Sequence, residues 1–317
     1  MRPVIVRLPN WVGDVVMALP AVVHLSQGGF TPLLIGKLWA KPLLAGYNWE
    51  IEPREATLQG RVRQLQRLRR QSRTRDPGFE RRLNTVLLTN SFSSALEARL
   101  ALLRSVGYRQ EARGWLLARA VAQPREPSHE STRFWRLATQ LTGRETPQPS
   151  QLRLRVAVAA QQTADALLAT HSLSGGFACI VPFATGTMLG RAKAWPAFPA
   201  FTKWLRQMLP VVVVPGPGES EAAQRLYPDA VVLDDVDLGV YAGILRRARL
   251  VVANDTGPGH IAAAVAAPVI SVLGPTDAQR YRPWGSQVLI VQQTPWPTLE
   301  QVAAEARRLL RSPQAPA

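Results

Sequence analysis

The sequence predicts an α/β protein of two Rossmann-like αβα domains, and three observations carry that expectation. Short apolar runs alternate with helix-patterned stretches from end to end, which argues for parallel sheets with crossover helices. The chain of 317 residues is long enough for two cores, and its 46% hydrophobic content is that of a globular protein. Residues 122–150 are rich in Pro, Gln, Ser, Thr and Arg and read as a connection between the halves. The expected domains are 1–155 and 156–317, with the last helix free to pack back on the first domain.

Taken in order, strands are expected at 4–8, 32–35 and 86–89, with helices at about 13–26 and 93–104 and a helical patch at 134–141. The second half starts its own sheet at 178–181 and extends it through 211–214, 230–233, 250–253, 269–273 and 288–291. Helices fall between these near 197–208, 219–226, 238–247 and 257–266, and a last one covers 298–311. No solenoid repeat or coiled-coil heptad run interrupts the pattern.

Composition excludes several classes. The single cysteine, Cys179, lies in an apolar run, so neither a disulfide framework nor a cysteine metal site is available. Asn10 and Asp14 break the apolar N-terminus, and no run of about 20 apolar residues exists to span a bilayer. The expected location is cytoplasmic, with the possibility of peripheral contact with a membrane face. The net charge of +16 is uneven: residues 1–155 hold 25 Lys and Arg against 11 Asp and Glu, and the remainder 13 against 11. The first half should therefore face something anionic. Its densest part, RVRQLQRLRRQSRTRDPGFERR at 61–82, reads either as a solvated helix face followed by a loop or as a surface for phosphorylated lipid. Nucleic acid is disfavoured, since no zinc-finger, basic-zipper or RNA-recognition signature accompanies it.

Chemistry concentrates at residues 251–277, VVANDTGPGHIAAAVAAPVISVLGPTD. A strand ends in Asn254-Asp255-Thr256-Gly257, and the next helix opens with Gly and Pro, where free backbone N–H groups and the helix dipole favour a phosphate. Asp255 or Thr256 could equally be a plain N-cap. His260 one turn later, and the loop Gly274-Pro275-Thr276-Asp277 after the following strand, point instead to a ligand crevice at adjacent strand ends.

Three further segments join this one. The first strand runs into Trp11-Val12-Gly13-Asp14, a strand-to-helix turn without the dinucleotide G-x-G-x-x-G, where Asp14 compensates a dipole or serves as a general base. The polar loop PFATGTMLGRAKAWP carries Thr185, Thr187, Arg191 and Lys193, residue types that hold a diphosphate and neutralise a leaving group. Glu219 and Glu221 follow the turn PGPG and are placed to accept from ribose hydroxyls or to cap a helix. The four histidines, His24, His129, His171 and His260, lack metal-ligand spacing, and the acids at 234–237 most economically cap a helix. Neither a G-x-S-x-G elbow nor a P-loop is present.

The blocks WVGDVVMALP, GRAKAWP and NDTGPGHIAAA with its trailing GPTD occur in an order and spacing that resemble the lipopolysaccharide heptosyltransferases, glycosyltransferase family 9, over nearly the whole chain. That resemblance implies a GT-B fold, two domains facing across a cleft, and an inverting, metal-independent transferase. It moves heptose from ADP-L-glycero-D-manno-heptose to the inner core of a lipopolysaccharide acceptor of phosphorylated lipid A/Kdo type. The ADP-heptose is a substrate, and no cofactor is implied. Asp14 matches the family's base and Lys193 its phosphate-binding lysine, while Gly13, in the same turn as Asp14, is counted with the substrate-binding residues. Asp255, Thr256, Gly257 and His260 match the donor contacts. The loop before Lys193 is a few residues longer than in the second-heptose enzymes. Two alternatives stay open: transfer from another nucleotide sugar or to a non-lipid acceptor, and a non-catalytic basic binding protein.

Overall fold

The computed structural model of the chain describes residues 2–184, 187–188 and 191–311. It divides into two compact units, Met1–Lys41 with Tyr47–Pro149, and Pro42–Gly46 with Ser150–Ala317.

The first stretch runs β1 (Arg2–Arg7), α1 (Val12–Gln27), β2 (Phe30–Gly36), α2 (Ala40–Leu43), β3 (Glu50–Pro53), α3 (Leu58–Arg75), β4 (Thr85–Leu87), α4 (Phe92–Leu100), β5 (Ser105–Tyr108), β6 (Arg119–Val121) and α5 (Glu130–Thr142). Its strands form one parallel sheet in the order β3-β2-β1-β4-β5-β6. Residues Val4, Ile5 and Val6 of the central β1 are fully buried, as helices on both faces of a parallel sheet require. The arginine-rich α3 is held by a narrow stripe of Gln64, Leu65, Leu68 and Ser72, and Thr57 caps its start by accepting from the Gly60 N–H. Its polar composition leaves the rest of its circumference to solvent and ion pairs.

The second stretch runs α6 (Val158–Thr170), β7 (Ala178–Val181), β8 (Thr187–Met188), β9 (Arg191–Ala192), α7 (Phe198–Leu205), β10 (Val211–Val213), α8 (Ser220–Leu226), β11 (Val231–Val232), α9 (Leu238–Arg247), β12 (Leu250–Ala253), α10 (Gly257–Ala264), β13 (Val269–Leu273), α11 (Ala278–Tyr281), β14 (Val288–Gln292) and α12 (Leu299–Arg311). The sheet order β11-β10-β7-β12-β13-β14 repeats that of the first unit, and every pairing is parallel. Counted within each unit, both orders are 3-2-1-4-5-6, the doubly wound arrangement that opens a ligand crevice where the winding reverses. The reversal lies between β1 and β4 in one unit and between β7 and β12 in the other.

Val302, Ala303 and Ala306 of α12 are buried in the second unit's core with Phe198, Phe201, Val252 and Ile270. One expectation needs correction. The loop at 182–194 is not irregular throughout, because β8 and β9 pair as an antiparallel hairpin within it.

Candidate functional site

The second unit gathers its polar loops at the carboxyl ends of β10, β7, β12 and β13, four neighbours in the sheet. Its pivot is Asn254, which is fully buried at the end of β12. The Asn254 Nδ2 donates to the Pro182 carbonyl at 2.7 Å, and its Oδ1 accepts from the Trp195 N–H at 3.0 Å. One amide therefore ties both ends of the loop after β7 to the end of β12. The Trp195 indole N–H donates to the Pro297 carbonyl at 2.9 Å and fixes the loop's exit.

This clamp places Lys193 against Asp255. The Lys193 Nζ lies 2.8 Å from Asp255 Oδ2, which also accepts from the Thr276 hydroxyl at 3.0 Å. Thr276 is in turn held by the Gln292 Nε2, which donates to its carbonyl at 2.7 Å. Three sequence-separated blocks thus meet on one carboxylate. Asp255 is accordingly not an N-cap. Thr256 occupies that position before α10, but its side chain makes no capping bond; its hydroxyl donates instead to the Asn254 carbonyl. The start of α10 keeps its backbone donors and positive dipole end for another acceptor. Gly259 lets this helix approach the strand: a Cβ there would meet Ala253 Cβ at 3.2 Å and the Asn254 carbonyl at 3.4 Å.

The remaining expected donor residues are placed as follows. His260 is 3% exposed on α10. Glu219 precedes α8, and its Oε2 accepts from the Gly216 N–H at 2.8 Å, which braces the PGPG turn. Glu221 is exposed in the first turn of α8. Thr187 and Arg191 lie on the β8–β9 hairpin. Thr185 falls outside the described residues. Asp237 caps α9 by accepting from the Gly239 and Val240 N–H groups, as its acid cluster suggested.

The first unit has its own pocket, about 140 Å³, at the reversal between β1 and β4. Asp14, half-buried in the first turn of α1, lines it beside the buried Gly13. The walls are residues 9–11 from the turn after β1, residues 88–91 from the turn after β4, and Glu130 and Phe134 from α5. Glu130 is 6% exposed and pairs with Arg133, Oε2 to Nε 3.4 Å.

Two buried arginines hold these turns. Arg7 donates to the Leu8 and Ile35 carbonyls and, at 2.8 Å, to Asn10 Oδ1. Arg113, with no exposed surface, donates to the Tyr108, Thr89 and Ser91 carbonyls, to Ser94 Oγ and to Asn90 Oδ1. Burial pushes both guanidiniums down to about 10, with Arg54 adding to the effect at Arg7, and both stay charged at neutral pH. Gly107 makes the room, since a Cβ there would stand 3.0 Å from Arg113 Nη2.

Sequence reasoning missed Asn254 and Thr276 as organisers of the donor end, and Glu130, Asn10, Thr89, Asn90, Arg7 and Arg113 around Asp14. Asn254 and Thr276 lay inside motifs already singled out. Nothing local marks Arg113 or Glu130 among the many charged residues of the first half.

Each unit is a doubly wound α/β body whose polar side chains converge at the carboxyl edge of the sheet, where open α/β sheets bind ligands. The chain belongs to glycosyltransferase family 9, the heptosyltransferases, whose model matches residues 79–308, and it is a glycosyltransferase. Its structure is similar to that of E. coli ADP-heptose LPS heptosyltransferase II, with a TM-score of 0.78, 22% identity and 98% of each chain covered. It is also similar to E. coli heptosyltransferase WaaC with ADP, with a TM-score of 0.71, 20% identity, and 97% of this chain and 99% of that one covered. A family 9 glycosyl transferase from Veillonella parvula gives a TM-score of 0.74 at 15% identity, covering 99% and 90%. No curated protein matches the sequence. These proteins share the expected GT-B fold class of Rossmann-like αβα units.

Proposed function

We propose that this chain transfers heptose from an ADP-activated donor to an inner-core lipopolysaccharide acceptor with inversion at the anomeric carbon. The observation that carries the donor half is the Lys193–Asp255–Thr276 cluster at the uncapped start of α10. A diphosphate there meets a lysine with donors to spare and a helix dipole of the right sign, so the charge of the departing ADP is neutralised as it develops. The ADP of the WaaC structure supports this choice of nucleotide. Lys193 and the α10 start supply the positive charge in this scheme, and neither a resident metal nor a cofactor enters it.

In the acceptor half, Asp14 takes the proton of the attacking hydroxyl, which then bonds to the anomeric carbon as the bond to the diphosphate oxygen breaks. The acceptor is a phosphorylated lipid-linked saccharide of Kdo–lipid A type, and the protein works peripherally at the anionic cytoplasmic face of a membrane. In support, Arg63, Arg70 and Arg73 are exposed on α3, a helix with no acidic residue. Incubation with ADP-heptose and a phosphorylated Kdo–lipid A acceptor should release ADP. Asp14→Asn should lower turnover by orders of magnitude while ADP still raises the melting temperature; wild-type turnover in that variant would remove Asp14 from the base role. ADP should stabilise the protein more than UDP, GDP or CMP.

A further inference from the structure

The outward side of α4 is at odds with a helix that meets only water. Its inner side buries Ser94, Ala95, Glu97 and Ala98, so an amphipathic helix would carry polar residues opposite them. Phe92, Leu96 and Leu100 stand there instead, four residues apart and therefore aligned along one face. Phe92 and Leu100 are exposed, and Leu96 is half-buried. Just past the helix, Leu102 is 59% exposed in the left-handed region, φ 58°, where glycine is the usual residue. Trp115, in the turn after β5, is 75% exposed, and its ring centroid lies 6.3 Å from that of Phe92. Two residues before it, the fully buried Arg113 donates to the Tyr108, Thr89 and Ser91 carbonyls, so the exposed indole sits on an anchored turn.

The neighbouring helix supplies the complement. α3 packs beside α4 through Arg61, whose Nε donates to Glu97 Oε1 at 2.7 Å. Its exposed residues include Arg63, Arg70 and Arg73, and it has no acid. Arg99 on α4, Arg104 before β5 and Arg109 after it are exposed as well. Glu97, the single acid of α4, is buried and paired with Arg54 and Arg61. In α3, α4 and the turn 109–117, Glu111 is the one exposed acid. Apolar and aromatic side chains set beside cations, with almost no negative charge, suit the headgroup region of an anionic bilayer, where the first insert and the second meet phosphates. A second copy fits less well, because a two-fold contact would set one arginine-rich helix against its like-charged twin.

We propose that Phe92, Leu100, Leu102 and Trp115 insert among the headgroups of an anionic phospholipid bilayer while the exposed arginines of α3 bind its phosphates. This contact rests on the peripheral membrane reading above and adds apolar insertion to charge. Phosphatidylglycerol vesicles brominated on their acyl chains quench tryptophans that enter them. In about 50 mM NaCl they should quench the wild type, and Trp115→Phe should remove about half of that quenching or more. Leu100→Ser combined with Leu102→Ser should lower partitioning into unbrominated phosphatidylglycerol vesicles about fivefold or more. Both side chains are exposed, so the circular dichroism spectrum should not change. Quenching of Trp115→Phe equal to that of the wild type, or wild-type partitioning of the double variant, overturns the insertion; salt-sensitive sedimentation then leaves the charge contact standing. A wild type that sediments with these vesicles at no salt concentration removes both. Self-association of the wild type that Trp115→Ser abolishes, with no quenching by the brominated lipid, gives this face to a second copy and also overturns the insertion.

Discussion

Asn254 decides the shape of the donor end because it has no water to fall back on. Its side-chain amide makes two hydrogen bonds across the loop's ends, and both partners, the Pro182 carbonyl and the Trp195 N–H, are main-chain groups. Asn254→Leu keeps the volume close and strands both partners in the interior, which should cost about 2–4 kcal/mol of stability measured by urea unfolding. It should also weaken ADP binding, since Lys193 loses the anchor two residues away; unchanged stability would show that the loop is held elsewhere. Cys179 illustrates the opposite kind of burial. Its thiol is pushed up to about 12 by burial in β7, so it behaves as a small apolar side chain. Ellman's reagent at pH 8 should leave it unmodified in the folded protein and titrate it fully in guanidinium; rapid labelling of the native chain would contradict that packing.

At the scale of elements, the packing of α1 along α5 frames the Asp14 pocket, and it contains a titratable contact. His24 of α1 pairs its Nε2 with the Thr142 hydroxyl at 2.8 Å and lies against the Trp135 ring at 4.4 Å. Burial, and then the nearby Arg144, hold this imidazole below its ordinary 6.5. The folded state therefore binds its proton less readily than the unfolded state. The stability it contributes is complete above about 6.5 and is lost as pH falls through the depressed folded value. Melts of the wild type and His24→Gln between pH 8 and pH 5 should show the wild type losing more stability below pH 6.5; parallel curves would assign the acid sensitivity to other groups. The elements legible in the sequence were those whose burial is complete. Ala178–Val181, Leu250–Ala253 and Val269–Leu273 are unbroken apolar runs, and the expected strands coincide with them. Three strands of the first sheet had no such signal. Glu50–Pro53 and Arg119–Val121 are short edge strands with polar or exposed residues, and Ser105–Tyr108 contains a glycine that makes room for Arg113. The alanine-rich α6 shows no marked apolar face and was not anticipated either.

For the whole molecule, charge is the property with the longest reach. Nearly all of the +16 lies in the first 155 residues, and α3 presents seven arginines over eighteen residues with no acid among them. Several are tied down, as Arg67 is to Glu52 and Arg61 to Glu97, so the exposed Arg63, Arg70 and Arg73 are those that can meet an anionic surface. Among the described residues no helix is long and apolar enough to cross a membrane. Sedimentation with phosphatidylglycerol vesicles should therefore be salt-sensitive, strong at 50 mM and much weaker at 500 mM NaCl, and reduced by changing these three arginines to serine. Equal binding to neutral vesicles would exclude this face as the contact.

The sequence by itself determined the two-sheet α/β plan, the family, and the donor motif, because buried parallel strands and a glycine-proline helix start are written in consecutive residues. The strand-end positions of Asp14, Lys193 and Asp255 follow from that plan. Only the tertiary structure decided which side chains meet. It joined Lys193, Asp255 and Thr276 on one carboxylate, turned Asn254 inward as a clamp, and brought Glu130 from α5 to the pocket of Asp14 over buried arginines. These partners are separated by some 20 to 116 residues, and their pairing depends on packing and desolvation, which no local pattern records.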